Sequence, residues 1–245
     1  MIRVLDHGFV TLRNISGPTR RPAEDYDADD VDPSNTARMS FDQMDSGLAR
    51  GREQDLRLAE YLMKNRHTTP FEMIEVWLEM KLPIFVARQF VRHRTVSINE
   101  VSGRYVQLPA EWYIPKPEHV GIKPPSVKQG RVLAWDELDH SQQLTIKSFL
   151  SKMDDDCRHS YSKYSQAIDV GIPNELARLY LHLNHYTHWV WKQDLHNIMH
   201  FLSLRDHSHA QYEAQQYAKA ILSLLDQVLP ESMKLYRQYR ALEKV

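Results

Sequence analysis

Cysteine is nearly missing from this chain: Cys157 stands alone among 245 residues, so no internal disulfide can form and a cytoplasmic setting is expected. Glycine is scarce, with eight in all. No G-x-G-x-x-G run and no Walker A run occurs among them, which argues against a Rossmann or P-loop nucleotide site. An excess of one charge is missing too. Thirty-one Lys and Arg against 32 Asp and Glu leave a formal charge of -1, so no global field draws the chain to nucleic acid or to an anionic membrane. Any bound anion must be held by a local cluster. Long apolar runs are absent as well: stretches such as Val76–Met80, broken by Glu79, fall far short of the roughly 20 residues that span a bilayer. Asp6, His7 and Arg13 interrupt the opening stretch where a secretory signal would be apolar. What is present is ordinary for a folded protein, 42% hydrophobic and 26% charged, and a single domain over residues 1–245 is expected.

Hydrophobic spacing and punctuation set the elements. Ile2–Leu5 and Phe9–Asn14 read as short strands around a turn at Asp6, His7 and Gly8. Between Arg20 and Pro33 the prolines and the acids Glu24, Asp25, Asp27, Asp29, Asp30 and Asp32 bury little and repel one another, which predicts a mobile loop. From Asp55, the spacing of Leu56, Ala59, Leu62 and Met63 predicts a helix that stops before Thr68. The period then changes. Val76, Leu78, Met80 and Leu82 alternate with polar residues as a half-buried strand requires, with Trp77 against the alternation. Pro83 fits the first turn of a helix to about Arg92. After a Pro-punctuated stretch from Pro109 to Pro125, a long helical region covers Asp136–Asp169 and ends at Gly171, followed by a helix from Pro173 through Leu183. Tyr186–Trp191 has the aromatic and β-branched content of a strand, and Asp194 stands where an N-cap belongs, ahead of Leu195, Ile198, Met199 and Leu202. Further helices are expected over Ser208–Val228 and Ser232–Glu243, parted by Pro230. Long helices with a few strands define an α+β fold with a small mixed or antiparallel sheet.

The densest polar segment is Arg88–Arg104. On a helix, Gln89 and Arg92 share a face; in an extended chain, Glu100, Ser102 and Arg104 project from one side. Arginine forks, the Ser102 hydroxyl and the backbone at Gly103 together suit a phosphate. A solvated basic helix end is the plainer account of the arginines alone, but the Asn99-Glu100-x-Ser102-Gly103-Arg104 continuation mixes donors and acceptors as a specific polar ligand needs. His196 and His200, four apart, have metal-ligand spacing, with His207 and His209 nearby. Asn197 occupies the position where a zinc peptidase needs glutamate, so a structural role or a nucleotide contact outranks a metal, and none is assigned. Cys157 follows Asp154, Asp155 and Asp156, which oppose a thiolate, with only Arg158 pulling the other way; it reads as structural.

Arg92-His93-Arg94, followed by Ser97, Asn99, Glu100, Ser102 and Arg104, resembles the long signature of the flavin-dependent thymidylate synthases. His67–Glu72 resembles that family's flavin-contacting turn, Ile172–Arg178 its late arginine segment, and Asp194–Arg205 with Ser208–Gln211 its C-terminal active-site helix; only Arg20–Pro33 and roughly Pro115–Thr145 have no match. The resemblance implies methylation of dUMP to dTMP with methylenetetrahydrofolate as carbon donor and FADH2, reduced by NADPH, as hydride source. It also implies a homotetramer with active sites shared between subunits. Position by position, it implies dUMP contacts at Gln89, Arg92, Glu100, Ser102, Gly103, Arg104 and Arg178, with Arg205 as the catalytic residue against the uracil ring. FAD contacts are implied at His67, Thr69, Glu72, Arg92, His93, Arg94 and Glu100, and on the last helix at Asp194, His196 and His200, where some members have Asn, Arg and Asn. Two other classes stay open: a metal hydrolase built on His196 and His200, and a noncatalytic nucleotide-binding module.

Overall fold

The computed structural model describes residues 1–19, 27–44, 51–123, 131 and 135–241. Strands β1 (Ile2–Val4), β2 (Gly8–Ser16), β3 (Glu75–Pro83), β4 (Val96–Glu100) and β5 (Tyr186–Asp194) form one sheet in the order β1-β2-β3-β5-β4, antiparallel throughout. Alternation decides which face is buried. Val76, Leu78, Met80 and Leu82 of β3 point into the core beside Trp189 and Trp191 of β5, while Trp77 is half-buried on the opposite face, which explains its place against the pattern. In β2 the register against β3 slips between Leu12 and Asn14. That bulge lets Ile15 return to the core after Val10 and Leu12.

Helices α8 (Leu195–Arg205), α9 (Tyr212–Val228) and α10 (Pro230–Tyr239) supply much of the rest of that core through Ile198, Phe201, Leu202, Tyr217, Ile221, Leu225, Met233 and Tyr236. Pro230 does not separate two helices at a distance; it opens α10, where its missing N–H costs nothing. The long helix α6 (His140–Asp169) begins in a capping box between Asp139 and Gln142 and ends in a Schellman turn. There Gly171, at φ 87°, donates to the Ile168 carbonyl, and Ile172 donates to that of Ala167.

Several expectations change. The described part of the acidic segment is anchored rather than merely solvated. Asp30 and Asp32 are 2% and 0% exposed, and Asp30 accepts the N–H groups of Glu231 (3.1 Å) and Ser232 (2.7 Å) at the start of α10. A carboxylate buries there because a distant helix end lacks acceptors for its first amides. Asp32 opens α1 (Asp32–Arg38), which a buried Arg38–Asp55 ion pair ties to α2 (Arg52–Lys64); residues 20–26 of the expected loop lie outside the described residues. Helix α4 (Ile84–Phe90) stops short of Arg92, since β-branched Thr95, Val96 and Ile98 lead into β4 at the sheet edge. A short helix, α3 (Thr69–Glu72), precedes β3, another, α5 (Pro117–Val120), lies in the Pro-punctuated stretch, and α7 (Asn174–Ala177) with a 3-10 turn ends at Tyr180 rather than Leu183.

Candidate active site

The predicted residues gather in three groups. The first surrounds Arg205, the last residue of α8. Its half-buried guanidinium donates from Nε to His93 Nε2 at 3.3 Å and from Nη2 to the Gln89 carbonyl at 3.4 Å. The His93 ring packs edge-on to Phe201, with centroids 5.0 Å apart, and 6.3 Å from that of His200. Burial first, then the Arg205 charge and His200, push His93 down to about 4. It is therefore neutral near pH 7, and because Nε2 accepts from Arg205 its proton sits on Nδ1. No carboxylate pairs with Arg205 among the described residues. A half-buried cation facing only neutral acceptors is poorly compensated, and it suits negative charge that develops on a ligand.

The second group lies where β4 ends. The chain turns from Ser102 to Tyr105, whose N–H donates to the Ser102 carbonyl at 3.0 Å, and Ser102 Oγ accepts the Arg104 N–H at 3.3 Å. Glu100, Ser102 and Arg104 thus do not line one extended strand, as the spacing alone suggested. The turn brings Arg104 to Glu175 of α7 instead. A Cβ on Gly103 would stand a tight 3.2 Å from Leu108 Cδ1 and in ordinary contact, 3.5 Å, with Arg178 Cδ, so glycine lets the turn close on Leu108 with Arg178 alongside. Arg104 Nε pairs with Glu175 at 3.1 Å, and Arg178 Nε donates to the Glu175 carbonyl at 3.3 Å. Glu100 accepts from the Thr187 hydroxyl on β5.

The third group joins α3 to α8. Burial lowers the pKa of His196, as does the charge of Arg240, while Glu72 and Asp194 oppose that shift. Asp194 spends both carboxylate oxygens on Asn197, accepting its N–H at 2.9 Å and its amide at 2.8 Å. It is the N-cap of α8. His67 is exposed and stacks on Tyr61, and Thr69 is exposed at the start of α3. Arg92 and Arg94 are exposed with no ion-pair partner among the described residues. No hydrogen bond or ion pair among the described residues joins the Arg205 group to the Arg104–Arg178 group.

Thr187, Glu175 and Glu213 escaped the sequence reading. Glu213 left a signal, an acid in phase with the apolar stripe of Ala214, Tyr217 and Ile221 on α9. No three His, Cys, Asp or Glu side chains cluster as metal ligands among the described residues, and His207 and His209 meet edge-on, with centroids 4.9 Å apart. Cys157 is buried with Sγ 3.4 Å from His182 Nδ1, and burial, then Asp154 and Asp156, raise its pKa. Among the described residues no helix is long and apolar enough to cross a membrane.

One antiparallel sheet with an arginine-bearing turn after its edge strand, packed with long helices, defines an α+β protein. Comparison with known proteins narrows that class. Residues 24–231 match the thymidylate synthase complementing protein family. The chain is 40% identical over 237 residues to a flavin-dependent thymidylate synthase of Wolbachia pipientis, covering 97% of this chain and 76% of the relative, and 37% identical over 251 residues to one of Rickettsia bellii, covering 98% and 79%. Its fold matches crystal structures of PolB, a UMP/dUMP methylase from Streptomyces cacaoi. The form bound with 5-Br dUMP has a TM-score of 0.76 at 24% identity and the form bound with 5-Br UMP 0.77 at 25%; each covers 98% of this chain, and 99% and 98% of the PolB chain. The chain belongs to the flavin-dependent thymidylate synthase family.

Proposed function

We propose that this chain methylates dUMP to dTMP, with methylenetetrahydrofolate as carbon donor and FAD, reduced by NADPH, as redox cofactor. The observation that carries the reading is Arg205, a half-buried guanidinium held by neutral His93 and a backbone carbonyl, with no ion-pair partner among the described residues. Such a cation favours electron density pushed onto uracil N3 and O4, which C5 needs in order to attack the folate methylene. The raised thiol pKa of buried Cys157 supports assigning ring activation to Arg205 rather than to a cysteine adduct.

The residues present suit a flavin. Neutral His93, with His200 beside it, offers flat polarisable faces, and exposed Arg92 and Arg94, without ion-pair partners among the described residues, carry charge for a pyrophosphate. When bound, the reduced flavin supplies the hydride that completes the methyl group. At the turn, Ser102, Arg104 and Arg178 would hold the dUMP phosphate. The exposed Arg104–Glu175 pair gives way at little cost, because such pairs contribute about 0–1 kcal/mol.

A homotetramer with shared sites is part of the reading, as is a cytoplasmic location. Exposed Tyr105, Val106, Leu176, Leu179 and Leu183 flank Arg104 and Arg178 in sequence, an apolar surround that suits a partner copy. The unlinked Arg205 and Arg104–Arg178 groups agree with a site completed across subunits. The purified protein should absorb in the blue as a flavoprotein and form dTMP only when dUMP, methylenetetrahydrofolate and NADPH are all supplied. A colourless protein that binds dUMP and turns nothing over would contradict the reading.

A further inference from the structure

The alternate positions Thr187, Trp189, Trp191 and Gln193 of β5 are buried. Thr187 is 5% exposed, and a hydroxyl so placed needs a hydrogen-bond partner. The edge strand supplies it. Residues opposite one another in an antiparallel pair project from one face of the sheet, and Glu100, the last residue of β4, stands opposite Trp189. Its side chain therefore shares a face with Thr187, the next position of β5 on that side and a diagonal neighbour that a long side chain can reach. There the Glu100 carboxylate accepts the Thr187 hydroxyl. The backbone around Glu100 is pinned separately, by the pairing of β4 with β5 and by the Val101 N–H, which donates to the His188 carbonyl at 2.8 Å. What remains free is the set of side-chain torsions of an exposed glutamate. Among the described residues, only the Thr187 hydroxyl holds its carboxylate.

We infer that Thr187 is a positioning residue: from inside the fold it sets the direction of the Glu100 carboxylate, so that Glu100 meets dUMP already oriented. This rests on the proposed placement of Glu100 at the nucleotide. A carboxylate accepts, and dUMP carries two donors away from its phosphate, the uracil N3–H and the sugar 3′-hydroxyl. A glutamate left to its rotamers must be ordered when the ligand arrives, and that ordering subtracts from affinity. A tether already made in the free protein removes the cost beforehand. The same bond serves the fold, because Glu100 satisfies a buried hydroxyl, and two substitutions at one position separate the two services.

Valine at 187 keeps the branched shape that suits a buried strand position and removes the donor. Serine keeps the donor and removes a buried methyl group. Affinity and stability should therefore part company. Thr187→Val should bind dUMP about threefold to tenfold more weakly than wild type, measured by calorimetry on the flavin-loaded protein, the range that ordering one rotamer-rich side chain spans. It should nonetheless melt at a higher temperature than Thr187→Ser. Thr187→Ser should melt lower and keep an affinity close to that of wild type. A merely structural role would make affinity follow stability, with serine the weaker binder, and that result overturns the inference. Wild-type affinity in Thr187→Val overturns it as well.

A second pair of variants asks whether the effect passes through Glu100. Glu100→Ala should weaken dUMP binding, and adding Thr187→Val to it should cost nothing more, since the hydroxyl then has no carboxylate to direct. A further loss of affinity in the double variant overturns the inference and leaves the proposed function standing. Unchanged affinity in Glu100→Ala removes Glu100 from the nucleotide, and the inference falls with that placement. Failure of wild type to bind dUMP at all overturns the proposed function and the inference with it.

Discussion

Ser102 shows how far a single side chain can be read. Its hydroxyl accepts the Arg104 N–H at 3.3 Å and closes the turn, and the Glu100 carboxylate two residues earlier is engaged by Thr187. No activated nucleophile results. Ser102→Ala should therefore weaken dUMP binding by about 1 kcal/mol, the scale of one hydrogen bond, with turnover at saturating dUMP retained; steady-state kinetics with a separate binding measurement checks this. Loss of turnover with normal binding would make Ser102 the attacking group. The arginines and His93 were legible in the sequence because a motif names them. Glu213 was not, since an acid in an apolar stripe shows its purpose only once Arg131, Tyr113 and Gln211 stand around it.

Elements were legible where one face is buried and the other is wet. Strand β3 and helices α8 and α9 follow their periods closely. Edge strand β4 escaped because it is exposed along much of its length, so no alternation marks it. The acid-rich segment misled for a different reason: Asp30 buries by capping α10, a partnership between residues far apart in sequence that no local window contains. Asp194, by contrast, caps its own helix and could be read directly. Asp194→Ala should lower stability by about 1 kcal/mol, seen as a reduced urea midpoint, while Asp194→Asn keeps most of it. An alanine variant of unchanged stability that lost flavin would show a ligand contact instead of a cap.

At the scale of the molecule, the sheet and helices α8, α9 and α10 close the main core, while α6 buries only Leu150, Cys157, Tyr164 and Ala167 and leaves Leu144 and Phe149 exposed. A helix of 30 residues with so narrow a buried stripe and the exposed apolar side chains near Arg178 agree with assembly. Light scattering on the flavin-loaded protein should give four times the chain mass; a fully active monomer would contradict the shared site.

Stability should also depend on pH through His93 and His185, each pushed down to about 4 mainly by burial. The unfolded chain protonates these rings near 6.5 and the folded one only near 4, so unfolding takes up protons in that window. Their contribution is complete above 6.5 and is lost as pH falls toward 4. Thermal midpoints measured from pH 7 to pH 4 should fall, and less so in His185→Asn. A profile that His185→Asn leaves unchanged would contradict this.

In the proposed reaction Arg205 stabilises charge on the uracil ring. Stopped-flow absorbance can follow two half-reactions of one protein: flavin reduction by NADPH, and flavin reoxidation on mixing with dUMP and methylenetetrahydrofolate. Lysine at this position keeps the charge and loses the planar fork that reaches His93 and the Gln89 carbonyl together. In Arg205→Lys, reoxidation and dTMP formation should fall by about 10²-fold or more, the scale of a single electrostatic stabiliser, while FAD stays bound and its reduction by NADPH is much less affected. Reoxidation at the wild-type rate with normal dTMP yield would show that the charge on the ring is stabilised elsewhere.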